Sequence, residues 1–195
     1  MLTEFIAFAF MVGALLPLST DSIAKVGMKL RPIEMDQKIS TMAETVGVKL
    51  DRVYLKEGGG INAYSLGGLK NVLILERESM NLPEEEFKAM VAHELSHIKR
   101  RHSLMRGAVL ASGLLMALWL SSLNRLFLPA FLLVFLVDML ICRRMESQAD
   151  RDAATFADPK ALISLIWRYG DTGSMSDHPS AQTRVKKIES MISGH

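Results

Sequence analysis

Ala92-His93-Glu94-Leu95-Ser96-His97 reads H-E-x-x-H, inside a helical pattern running from about Pro83 to His102. Two histidines four apart on a helix project from one face, one turn above the other. Their ring nitrogens can close on a single metal ion without bending the backbone. Glu94 sits at the edge of that face, placed to reach water on the metal without ligating it. The pattern is that of a zinc hydrolase, in which the metal acidifies water and the carboxylate takes its proton.

Such a site needs three protein ligands and one open position. Downstream, Glu146-Ser147-Gln148-Ala149-Asp150 lies in a further helical pattern, Met145 to Ala157. Glu146 is the expected third ligand. Asp150, one turn on, is placed to accept the ring N–H of a ligating histidine, His93 foremost, which would fix its tautomer. The expected site holds one Zn2+ per chain on His93, His97 and Glu146, with Glu94 as the base. The longer pattern H-E-x-x-H-x-x-G-x-x-H does not apply, because those positions hold Arg100 and Ser103. On a continuous helix His102 points away from the ligand face and reads as a helix-end cation or surface residue.

The chain has 195 residues and a net charge of +2, which gives no case for nucleic acid as a partner. Its basic residues instead abut apolar runs: Lys99, Arg100, Arg101 and Arg106, then Arg143 and Arg144. That placement suits a membrane surface. The single cysteine, Cys142, excludes an internal disulfide and a thiolate-rich zinc site. Hydrophobic residues make up 49% of the chain and the mean hydropathy is +0.20, high for a soluble domain.

Three apolar runs carry that excess: Phe5 to Leu18, Gly107 to Leu123 and Leu126 to Cys142. The first reads as an uncleaved anchor within residues 1–20, since Glu4 precedes it and no cleavage site follows. Lys25, Lys29, Arg31 and Lys38 then put the following segment in the cytoplasm. The other two runs, 17 residues each and separated by Asn124 and Arg125, read as an antiparallel transmembrane hairpin over 107–142. Asp138 within it is costly unless paired, and Ser112 on the facing run is the expected partner.

Between anchor and hairpin, Met35 to Val46 has helical spacing and ends at Gly47. Lys49 to Leu55, Ile61 to Ser65 and Asn71 to Glu76 read as strands, separated by Gly58-Gly59-Gly60 and Gly67-Gly68. The expected fold is α+β and mostly helical, with a sheet of about three strands beside the H-E-x-x-H helix. Residues 33–106 form the first part of the catalytic unit and 143–195 the second, with the hairpin inserted between them.

These motifs resemble the gluzincin family of integral membrane zinc endopeptidases, which includes the HtpX proteases, the CAAX prenyl proteases and the mitochondrial Oma-type peptidases. Asn62-Ala63-Tyr64-Ser65 is similar to the family's edge strand, which implies polypeptide substrate bound as an added strand. His178-Pro179 through Arg184 resembles its His-Pro…Arg segment. The resemblance implies a catalytic contact from His178 to substrate or transition state. It implies either such a contact or a structural ion pair from Arg184. The chain departs from HtpX in having one N-terminal apolar run where HtpX has two, and His102 where HtpX usually has Asp. The expected function is a zinc-dependent endopeptidase of unfolded or membrane proteins, serving protein quality control. It would lie in the bilayer, with its site on the cytoplasmic side of a prokaryotic cytoplasmic membrane. The alternatives are a CAAX-type prenyl-protein protease, or a catalytically idle zinc-binding membrane scaffold. Substrate and oligomeric state are not legible.

Overall fold

The computed structural model describes residues 30–193 except 69, 125, 127, 128 and 171–178. The anchor expected within residues 1–20, and His178, lie outside the described residues.

Four strands form one mixed sheet, where three were expected. They are β1 (Leu30–Ile33), β2 (Arg52–Lys56), β3 (Ala63–Leu66) and β4 (Val72–Glu76), in the order β1-β2-β4-β3. The additional strand is β1, antiparallel to β2 with Pro32 opposite Tyr54. Proline cannot donate to a ladder, so it hides the strand pattern, and it is tolerated here because β1 is an edge. β2 and β4 run parallel in the centre, while β3 pairs antiparallel with β4 and forms the other edge. Every residue of β4 is buried, as a continuous Val-Leu-Ile-Leu run predicts for a central strand.

Helix α1 (Gln37–Val46) starts where the Asp36 carboxylate accepts from the Lys38 amide at 2.8 Å, and ends at Gly47 with φ 78°. Helix α2 (Glu84–Lys99) carries the H-E-x-x-H motif, and Glu84, Glu85 and Glu86 complement the positive end of its dipole. The remaining helices are α3 (His102–Leu123), α4 (Ala130–Phe156), α5 (Pro159–Tyr169) and α6 (Ala181–Ser193). The main core lies between the sheet and α1, α2, α5 and α6, around Leu73, Leu75, Val91, Leu95, Leu162 and Val185. Leu73, Leu75 and Leu95 are fully buried, each worth about 1.5–3 kcal/mol of transfer free energy.

Two expectations about the helices change. The pattern read from Pro83 to His102 is two helices. The chain turns at Arg101, which has a left-handed φ of 54°. The Glu146 segment, in turn, is not a separate helix, because α4 runs unbroken from Ala130 to Phe156 and joins the second apolar run to the ligand segment.

α3 and α4 pack side by side. A Cβ added to Gly113 would stand 3.0 Å from Val134, and Arg106 pairs with Asp138, so contacts descend α4 as they ascend α3. The two helices are antiparallel, as a hairpin requires. The partner of Asp138 is Arg106, at 3.1 and 2.9 Å, and not Ser112, whose hydroxyl donates to the Val109 carbonyl. A bidentate guanidinium satisfies a carboxylate in apolar surroundings better than one hydroxyl can. Among the described residues α3 is the one helix long and apolar enough to cross a membrane, with a mean hydropathy of 1.6. Met105, Met116 and Trp119 on α3, with Leu133, Phe135 and Leu140 on α4, are exposed. The apolar part of α4, Ala130 to Cys142, is about 20 Å long at 1.5 Å per residue, shorter than a hydrocarbon core of about 30 Å.

Candidate metal centre

Spacing on α2 stacks His93 and His97 on one face, as the sequence requires, and α4 crosses that face to deliver Glu146. His93 Nε2 and His97 Nε2 lie 3.2 Å apart. Glu146 Oε2 is 3.4 Å from His93 Nε2, and Oε1 is 3.3 Å from His97 Nε2. Tetrahedral zinc with ligand distances of about 2.0–2.1 Å separates its donors by about 3.3–3.4 Å. Three donors from two helices therefore already stand at the edge lengths of a zinc site. These three residues form a possible metal-binding group among the described residues.

The electrostatics fit a cation as well. Burial alone would push the His93 imidazole down, but the carboxylates of Asp150 and Glu146 outweigh it and pull it up to about 10 in the metal-free site. The site therefore favours positive charge at the donors. Asp150 Oδ1 stands 3.0 Å from His93 Nδ1, where it was expected, although the ring N–H is not aimed squarely at it. Burial would raise the Asp150 carboxyl, yet Arg184 and His93 hold it below the usual carboxylate range.

Arg184 makes two bonds to Asp150, at 2.8 and 2.6 Å, and its Nη2 is 3.9 Å from Glu146 Oε2. Of its two expected roles, the ion pair is formed here with Asp150, and Arg184 also borders the cleft. Glu94 is half-buried and lines a cleft of about 530 Å³ together with His93, His97, Glu146 and Arg184. It faces the site without joining the donor triad.

The same cleft is bordered by Asn62, Ala63, Tyr64 and Ser65, and across it by Leu162 and Ile166 of α5. The start of this edge is anchored from inside. Ser79 Oγ accepts from the Asn62 amide at 2.8 Å and donates to the Asn62 carbonyl at 2.7 Å. The Asn62 side chain accepts from the Ala63 amide and donates to the Tyr64 hydroxyl. That hydroxyl donates to Glu76, which also pairs with Lys56 at 2.8 Å.

His102 was read as pointing away from the site, and the structure overturns this. Its Nδ1 lies 3.0 Å from His97 Nδ1, and its Nε2 lies 3.2 Å from Gln148 Oε1. A residue five positions on is turned about 140° away on an unbroken helix. The left-handed Arg101 breaks that count and folds His102 back over His97. Arg101 is neither glycine nor proline, so its sequence signal is weak: three consecutive cations, Lys99-Arg100-Arg101, at a helix C-terminus.

Comparison with known proteins agrees with this geometry. The pattern of Peptidase family M48 matches residues 29–192. The chain belongs to peptidase family M48. The M48 chain is 29% identical over 181 residues to a protein named Protease HtpX homolog from Paraburkholderia phytofirmans, a match covering 81% of this chain and 62% of the relative. It therefore spans about three fifths of that relative's length. The crystal structure of S. mikatae Ste24p is similar in fold, with a TM-score of 0.70 at 16% identity. That likeness covers 96% of the M48 chain and 56% of Ste24p.

Proposed function

We propose that this M48 chain is a membrane-bound zinc endopeptidase that cleaves extended segments of unfolded or membrane proteins. The observation that carries the reading is the convergence, in one cleft, of a donor triad at zinc edge lengths, a carboxylate outside the triad, and a sheet edge. His93, His97 and Glu146 would hold the metal. Zinc bound there supplies a Lewis acid that polarises the scissile carbonyl and lowers the pKa of water.

Everything else is done by the chain. Glu94 takes the proton of the attacking water and returns it to the leaving amine. Asp150 holds His93 with Nε2 toward the metal, and Arg184 holds Asp150. β3 receives the substrate backbone as an added strand, so recognition rests on main-chain pairing and tolerates sequence. Leu165 of α5, partly exposed in the cleft, offers an apolar contact to a substrate side chain. His178 is assigned a contact to the oxyanion that develops on the substrate carbonyl. The exposed apolar faces of α3 and α4 support a seat in a bilayer, and the basic residues that flank the apolar runs support a site on its cytoplasmic side.

The test is cleavage of an unfolded casein-like substrate by detergent-purified wild type and Glu94→Gln, with zinc assayed in both. Equal zinc with cleavage only by wild type is the expected result. A loss of about 10²–10⁴-fold in turnover suits removal of a general base. Cleavage surviving in Glu94→Gln refutes the assignment. Zinc in both with cleavage by neither favours the idle scaffold.

A further inference from the structure

We infer that His102, oriented by Gln148, is a positioning residue that fixes His97 as a metal donor. The inference rests on the zinc reading of the triad, and begins from protons on ring nitrogens. A neutral imidazole has one N–H and one bare nitrogen. His97 and His102 meet Nδ1 to Nδ1 at 3.0 Å, so one ring donates and the other accepts. The other nitrogen of His102 decides which. Its Nε2 is 3.2 Å from Gln148 Oε1, an amide oxygen with no proton to give. His102 Nε2 therefore carries the proton and its Nδ1 is bare. His97 must then hold its proton on Nδ1, which leaves the Nε2 lone pair directed at His93 Nε2 and Glu146 Oε1.

Turning the Gln148 amide over would reverse the chain. Its NH2 would donate to His102, His102 would donate to His97, and His97 Nε2 would carry the proton where the metal needs a lone pair. The orientation of one amide thus sets the competence of a ligand two residues away. His102 is only 3% exposed, so water offers it little choice of partner. The two rings stand edge to face, centroids 4.9 Å apart and planes at 79°, which holds both nitrogens in line. The relay ties together α2, α3 and α4, and it exists because Arg101 turns the chain. Each ligating histidine has its own orienting partner: a carboxylate for His93, and a neutral His–Gln pair for His97.

The test uses the full chain in detergent. Zinc affinity is measured by chelator competition for wild type, His102→Leu, His102→Asn and Gln148→Leu. The His97 tautomer is read from ring nitrogen shifts in the metal-free protein. His102→Leu should bind zinc about 10–100-fold more weakly, the usual cost of losing a partner that orients a ligand. Gln148→Leu should fall between it and wild type. His102→Asn, whose carbonyl can accept from His97 Nδ1–H, should recover most of the loss, which a merely space-filling role would not allow. Metal-free His97 should carry its proton on Nδ1 in wild type and lose that preference in His102→Leu. Wild-type affinity in His102→Leu, equal weakness in His102→Asn, or a wild-type His97 proton on Nε2 would overturn the inference. A wild type that takes up no zinc refutes the metal reading instead, and the nitrogen shifts then still decide the relay.

Discussion

Replacing Arg184 with leucine should destabilise the protein more than any other single charge removal near the site. Its two bonds to Asp150 are short, and the paired side chains are 12% and 4% exposed. Neither group can be rescued by solvent. Truncating one partner of a buried pair costs about 3–5 kcal/mol, chiefly because the other charge is left uncompensated. For a chain of this size about 2–4 °C of melting temperature accompanies each kcal/mol, so Arg184→Leu should melt about 6–20 °C lower. The assay is thermal unfolding of the metal-free protein in detergent, followed by tryptophan fluorescence and by circular dichroism. Asp150→Asn alone should also be destabilised, since it leaves the guanidinium unmatched. Combining the two changes removes both charges, so the double variant should be more stable than the sum of the singles implies. The coupling should fall toward the upper end of the about 0.5–3 kcal/mol seen for residues in contact. A loss under about 1 kcal/mol for Arg184→Leu, the range of exposed pairs, or strict additivity, would refute the reasoning.

Three further outcomes follow from particular contacts. His93 is raised from 6.5 to about 10 in the metal-free protein, so its contribution to stability is full below pH 6.5 and is lost as pH rises toward 10. Metal-free melting temperature should fall across that window while the zinc-loaded protein stays level. Ser79→Ala removes both Ser79 bonds to Asn62, leaving the Glu76 amide on its carbonyl, and should cost about 0.5–1.5 kcal/mol. Peptide KM should rise with zinc content unchanged, and an unaltered KM would detach the edge from substrate binding. Arg106→Leu should destabilise the α3–α4 pair by several times more than Ser112→Ala, which belongs within about 0.5 kcal/mol of wild type. Comparable melts for the two variants would mean that the Asp138 carboxylate is not held by its guanidinium.

Local spacing was the legible part of this molecule. H-E-x-x-H and E-x-x-x-D depend only on helical periodicity, so His93 could be placed relative to His97, and Glu146 relative to Asp150, before any fold was known; joining the two pairs rested on zinc's need for a third ligand. β4 was legible for the same kind of reason, as an uninterrupted apolar run. What was hidden depends on single backbone conformations or on packing. β1 was concealed by Pro32, which spoils the strand pattern but suits an edge. His102 was misplaced because the left-handed turn at Arg101 occurs at a residue type that rarely adopts it. Asp138 was assigned the wrong partner because depth along two apolar runs fixes a neighbourhood and not a contact. The close approach at Gly113 and Val134 sets the actual register, and only the folded pair contains it.

The unbroken course of α4 has a mechanical consequence. Glu146 and the apolar residues before Cys142 belong to one rod, with no hinge between them to absorb rotation. Asp138 and Glu146 are separated by about 12 Å of helix, so a tilt of about 5° at the first moves the second by about 1 Å. Misplacement on that scale costs about a hundredfold in rate where reacting groups must align. The rod therefore works as a lever: a tilt imposed on its apolar arm reaches the Glu146 carboxylate undamped, so the spacing of the donor triad depends on what holds the far end of the helix.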